Sequence, residues 1–137
     1  MSLNDEERNQ VVAYRLEKAA NTLRDAEKVI DLQMWATGAN RLYYAAYYAV
    51  SALLIANGIN AKTHEGIVRM FNQRFVATGT IDRELGRLYN GLFTMRLTGD
   101  YGDCFDLQAE DVQPKAAPTA RLIETVTLLA RQSLAKQ

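Results

Sequence analysis

Three short blocks hold the side chains best suited to chemistry. The first is Asn40-Arg41-Leu42-Tyr43-Tyr44-Ala45-Ala46-Tyr47-Tyr48, where an arginine precedes four tyrosines. The second is Lys62-Thr63-His64-Glu65-Gly66, which holds the only histidine of the chain. The third is Met95-Arg96-Leu97-Thr98-Gly99-Asp100-Tyr101. Guanidinium groups grip phosphate with two parallel N–H donors, and a nearby phenol or imidazole can give or take a proton. Arg96, Asp100 and Tyr101 therefore form a candidate phosphate grip. Asp100 orients the guanidinium, and Tyr101 stands beside it. Lys62, Thr63 and His64 form a second cationic corner, where a helix N-terminus opens toward an anion. The tyrosines offer flat faces for stacking bases, for a protein contact, or for packing within the fold. Metal chemistry has little to work with. One His and one Cys fall short of a zinc set, and Asp100, Asp103 and Asp106 lack calcium-loop spacing. Cys104 has no identifiable base beside it, so it reads as a partly buried thiol.

These blocks need helices to position them. Asn4 or Ser2 caps a first helix with Asp5, Glu6 and Glu7 in its opening turn, favourable against the helix dipole. Val12, Leu16, Ala19, Leu23, Ala26 and Ile30 step along one face by threes and fours. Met34–Gly38 reads as a turn. A second helix runs to Ile55 and stops at Asn57-Gly58. It carries Tyr43 and Tyr47 on one face, with Arg41, Tyr44, Tyr48 and Ser51 on the next. Thr63 caps a third helix that ends at Thr78-Gly79. Thr80 caps a fourth that ends at Thr98-Gly99, placing Arg96 in its last turn. Ile123, Val126, Leu129 and Ala130 mark a final helix whose start depends on Pro114 and Pro118. No alternating strand pattern occurs. The expected fold is all-α, an antiparallel up-and-down bundle of four to five helices forming one domain over residues 1–137.

Composition removes whole classes of function. Hydrophobic residues make up 48% of the chain, which excludes disorder, and 16 basic residues balance 16 acidic ones. A protein that coats polyanions needs a large positive excess, so non-specific DNA binding is not expected. A single cysteine rules out an internal disulfide and suits a reducing compartment. The polar, acidic first residues are no signal peptide, and no apolar run spans a membrane, so a cytoplasmic location is expected. The neutrality is uneven, however. Residues 61–97 sum to +3 and residues 98–111 to −5, so the sign changes between Arg96 and Asp100.

Arg41-x-Tyr43-Tyr44-Ala45-x-Tyr47-x-Ala49, Lys62-Thr63-His64-x-Gly66 and Arg96-x-x-x-Asp100-Tyr101 occur in the order and separation found in HEPN proteins. The chain resembles that superfamily over nearly its whole length, and in particular its short stand-alone bacterial members. The resemblance implies homodimers that bring both helix-four motifs to a shared cleft. It implies a minimal nucleotidyltransferase partner in a toxin–antitoxin-like system, with no cofactor. Many such proteins are metal-independent endoribonucleases with an Arg-x4-6-His motif. There the histidine serves as acid/base toward the ribose 2′-hydroxyl, and the arginine stabilises the phosphorane. Here positions 100–103 hold Asp, Tyr, Gly and Asp, so only Arg96 carries over. The expected function is accordingly a nucleotide- or RNA-phosphate-binding component, with Arg96, Asp100, Tyr101, Arg41, Tyr44, Lys62, Thr63 and His64 as ligand contacts. Two alternatives stay open: an active ribonuclease toxin using Arg96 with Asp100 or His64, and a non-catalytic interaction module.

Overall fold

A computed structural model describes residues 3–101 and 107–136, with only the backbone described at 98–101. It is an all-α bundle, and no strand occurs among the described residues. Five helices of at least eight residues are present: α1 (Asp5–Asp31), α2 (Trp35–Ala56), α3 (His64–Phe71), α4 (Arg83–Tyr101) and α6 (Ala116–Ala135). A single turn, α5 (Ala109–Val112), and a 3₁₀ turn over Gln113–Lys115 lead into α6.

The helix α2 is the hub, packing against α1, α3, α4, α5 and α6. Its sequence explains why. Ala39, Ala45, Ala46, Ala49, Ala52 and Ala56 are all buried, and such short side chains let neighbouring helices approach from several sides. Gly38 goes further: a Cβ there would lie 2.6 Å from Cγ1 of Ile30 on α1. The α1–α2 hairpin therefore closes on a glycine. The core continues through Val12, Leu16, Leu42, Tyr43, Leu53, Phe71, Tyr89, Leu92, Leu122 and Val126 as one cluster of buried side chains.

Several helix ends follow the sequence. The Asn4 side chain accepts from the Glu7 N–H at 2.8 Å while Glu7 accepts from the Asn4 N–H at 3.0 Å, a reciprocal capping box. Thr63 Oγ1 accepts from the Gly66 N–H at 2.9 Å. Gly58 and Gly79 take positive φ of 69° and 82° where the chain leaves a helical segment, the conformation glycine adopts most readily.

Others differ. Met34–Gly38 is not a turn. The link between α1 and α2 is only Leu32–Met34, and α2 begins at Trp35 because helix–helix contact at Gly38 outweighs glycine's poor propensity. Thr80 does not cap α4; its hydroxyl meets that of Thr78 at 3.1 Å, and the first α4 amides bond to the Asp82 carbonyl. Nor does Gly99 stop α4, whose backbone continues to Tyr101, so Arg96 stands more than a turn before the end. Pro114 falls in the 3₁₀ turn and Pro118 in the first turn of α6, where a missing N–H is harmless.

Candidate functional site

Tyr43 is the centre of the aromatic cluster. Its ring is fully buried, with Tyr44 edge-on at 5.1 Å, Tyr47 stacked at 6.1 Å, Tyr89 nearly parallel at 6.2 Å and Phe93 tilted at 6.1 Å. A buried phenol needs a partner, and the Tyr43 hydroxyl has one in His64 Nδ1 at 2.5 Å. The imidazole also stacks on Tyr47, with centroids 4.5 Å apart and planes 18° apart. Capping by Thr63 starts α3 at His64, so the capped helix end delivers the ring to the face of α2 that holds Tyr43 and Tyr47.

Arg96 joins the same cluster from α4. Its guanidinium carbon lies 5.5 Å from the Tyr43 centroid and 5.8 Å from the Tyr44 centroid. Arg41 lies 5.4 Å from the Tyr44 centroid, so two arginines share one ring. The Asn40 carboxamide oxygen accepts from Arg41 Nε at 3.1 Å and from Nη2 at 2.8 Å, which holds that guanidinium in place. Guanidinium groups hydrate weakly and pack flat on aromatic faces, so one ring can support both. A cleft of about 270 Å³ opens beside Arg96, lined also by Thr37, Asn40, Met95 and Leu107.

The local field sets protonation. Burial, and then the Arg96 cation, hold the His64 imidazole below its ordinary range, so at neutral pH it is uncharged. Burial pushes the Tyr43 phenol well above its ordinary value despite Arg96, and Tyr89 is raised in the same way. Both phenols thus remain protonated at neutral pH. A neutral imidazole between a phenol and a guanidinium can accept a proton, and paired guanidiniums can hold an anion.

The structure thus gathers Arg41, Tyr44, His64 and Arg96, although they come from three separate sequence blocks. His64, expected as a ligand contact, bonds to the Tyr43 hydroxyl through its Nδ1. Lys62 is exposed and faces elsewhere, lining a second cavity with Tyr47 and Arg15. Thr63 spends its hydroxyl oxygen on the helix cap. The side chains of Asp100 and Tyr101, and all of Asp103, Cys104 and Asp106, lie outside the described residues. Among the described residues no three His, Cys, Asp or Glu side chains gather at one point, and no helix is long and apolar enough to cross a membrane. Tyr89 and Asn40 were not singled out from sequence. Tyr89 lies on α4, and its ring extends the aromatic cluster.

Comparison with known proteins identifies the family. A UPF0332 protein from Thermotoga maritima is 38% identical over 107 residues, covering 78% of this chain and 81% of its own length. A protein named "Putative toxin MJ0142" from Methanocaldococcus jannaschii is 32% identical over 98 residues, covering 72% and 67%. A UPF0332 protein from Gloeobacter violaceus is 28% identical over 110 residues, covering 80% and 87%. Residues 12–129 match the HEPN domain. With a match spanning most of its length and the helical bundle to accompany it, the chain belongs to the HEPN domain family.

Proposed function

We propose that this protein binds a nucleotide or RNA phosphate as one component of a toxin–antitoxin-like system, acting as a homodimer beside a minimal nucleotidyltransferase. The observation that carries the reading is the sharing of the Tyr44 ring by Arg41 and Arg96, at 5.4 and 5.8 Å. Two guanidiniums within cation–π range of one ring can together grip an anion, and an aromatic ring beside them suits a base or ribose. In this reading Arg96 holds phosphate, Asp100 orients it, Tyr44 and Tyr101 flank the ligand, and His64 stands behind Tyr43. Two relatives, both from Methanocaldococcus jannaschii, carry the word toxin in their names, which supports the system class. Titration of the purified protein with a short oligouridylate is expected to show saturable binding that Arg96→Ala weakens at least tenfold. Absence of binding, or an unchanged affinity in Arg96→Ala, would overturn it.

A second reading is favoured by one feature: an uncharged imidazole within the same cluster as Arg96. In a metal-independent ribonuclease, His64 would donate its Nδ1–H to the Tyr43 oxygen, leaving Nε2 to take the 2′-hydroxyl proton as that oxygen attacks phosphorus. Arg96 would stabilise the phosphorane, and the P–O5′ bond would break to leave a 2′,3′-cyclic phosphate, the departing 5′-oxygen taking a proton from water. Growth arrest on expression, relieved equally by Arg96→Ala and His64→Ala, selects this reading. Harmless expression removes it.

A further inference from the structure

We propose that the groove between α1 and α2 is a second nucleic-acid contact, a track for the bases and phosphates of a single strand that leads away from the Arg96 centre. Tyr14 and Lys18 on α1 and Tyr48 on α2 form one end. The Lys18 ammonium lies 4.7 Å from the Tyr48 centroid and 5.7 Å from that of Tyr14, which is 57% exposed. These residues line a cavity of about 440 Å³ with Arg15. Arg15 also lines the neighbouring cavity of about 230 Å³, together with Tyr47 and Lys62. The groove thus offers three cations and the rings of Tyr14 and Tyr48, and no carboxylate lines either cavity among the described residues.

Ring contacts connect this groove to the site already described. Tyr48 lies 6.1 Å from Tyr44, the ring under Arg41 and Arg96, and Tyr47 stacks on His64. Cations beside exposed aromatic faces are the combination with which single-strand binders hold phosphates and stack bases. A duplex hides its base faces, so it cannot use Tyr14 or Tyr48 in this way. An exposed cation–π contact is weak. A base can therefore displace the Lys18 ammonium from a tyrosine face, freeing it to meet the adjoining phosphate. Arg15 is held at the join by its Nη1 donating to Ser51 Oγ at 2.8 Å.

This inference extends the phosphate-binding reading but rests on different residues, which lets the two be tested apart. Ten-nucleotide oligouridylate, oligodeoxythymidylate and an RNA duplex are titrated against the wild-type protein, Arg96→Ala and the double variant Tyr14→Ala with Lys18→Ala. Both α1 side chains are exposed, so the double variant is expected to melt with the wild-type protein. Its affinity for the single strands should fall about tenfold, and its salt slope by about 0.7, the loss of one phosphate contact. The RNA and DNA arms show which strand is held. Loss in the double variant with retention in Arg96→Ala supports the groove and removes the Arg96 reading; the converse does the opposite. Duplex binding as tight as single-strand binding overturns the track. So does a shift in oligomeric state caused by the double variant, which would assign this face to a second copy of the chain.

Discussion

At the scale of single residues, the Tyr43–His64 contact ties the core to the site. The hydroxyl is buried and bonds to Nδ1 at 2.5 Å, so Tyr43→Phe leaves an imidazole nitrogen without its partner. A loss of about 1 kcal/mol in unfolding free energy is expected from such a deletion, measured by denaturant titration. His64 also makes stability depend on pH. Its folded pKa lies below the unfolded value near 6.5, so the unfolded chain binds more protons as the pH falls through that value. The contribution is complete above about pH 6.5 and declines below it, toward the lower folded pKa. Melting between pH 7.5 and 5.5 should therefore fall more steeply for the wild-type protein than for His64→Phe. Equal slopes would show that His64 is free to charge in the fold.

At the scale of elements, helix ends and crossings make distinct predictions. Thr63 starts α3 and so aims His64. Thr63→Ala should cost about 1 kcal/mol through the lost cap, with Thr63→Ser restoring it. Gly38→Ala sets two effects against each other. Alanine gains about 1 kcal/mol in helix propensity, whereas overpacking typically costs 1–3 kcal/mol. With Ile30 Cγ1 only 2.6 Å from the added Cβ, the crossing should prevail and the melting temperature fall. A rise would show that α1 can move aside. The same competition explains why a sequence reading breaks the helix at Gly38. Glycine signals a helix stop locally, but contacts from distant residues can carry a helix through it. At Asn4, Thr63, Gly58 and Gly79 no such conflict exists, and local chemistry alone places the ends correctly.

At the scale of the whole molecule, neutrality and local charge have to be reconciled. With 16 bases against 16 acids, long-range steering of a polyanion is weak. Binding through two or three phosphates should give a shallow salt dependence, with log affinity falling against log salt at a slope of about −1.4 to −2. A slope several times steeper would mean that the protein coats the strand. The central helix matters at this scale as well. Leu53 is fully buried on α2, and Leu53→Ala should cost 2–5 kcal/mol in chemical denaturation, because a helix packed on several sides cannot collapse into the vacancy.

Sequence alone determined the helical class, the stripes through Val12, Leu16 and Ile30 and through Ile123 and Val126, and the residues able to carry chemistry. These depend on periodicity and side-chain type, which are local properties. It left Arg41, His64 and Arg96 in three separate blocks, 23 and 32 positions apart. Their assembly about Tyr43 and Tyr44, the uncharged state of His64 and the groove joining Tyr14 and Lys18 to Tyr48 were decided by the tertiary structure. The physical reason is packing. Short side chains on α2 let α1, α3 and α4 approach one helix from different sides, and only that approach turns three weak motifs into one site.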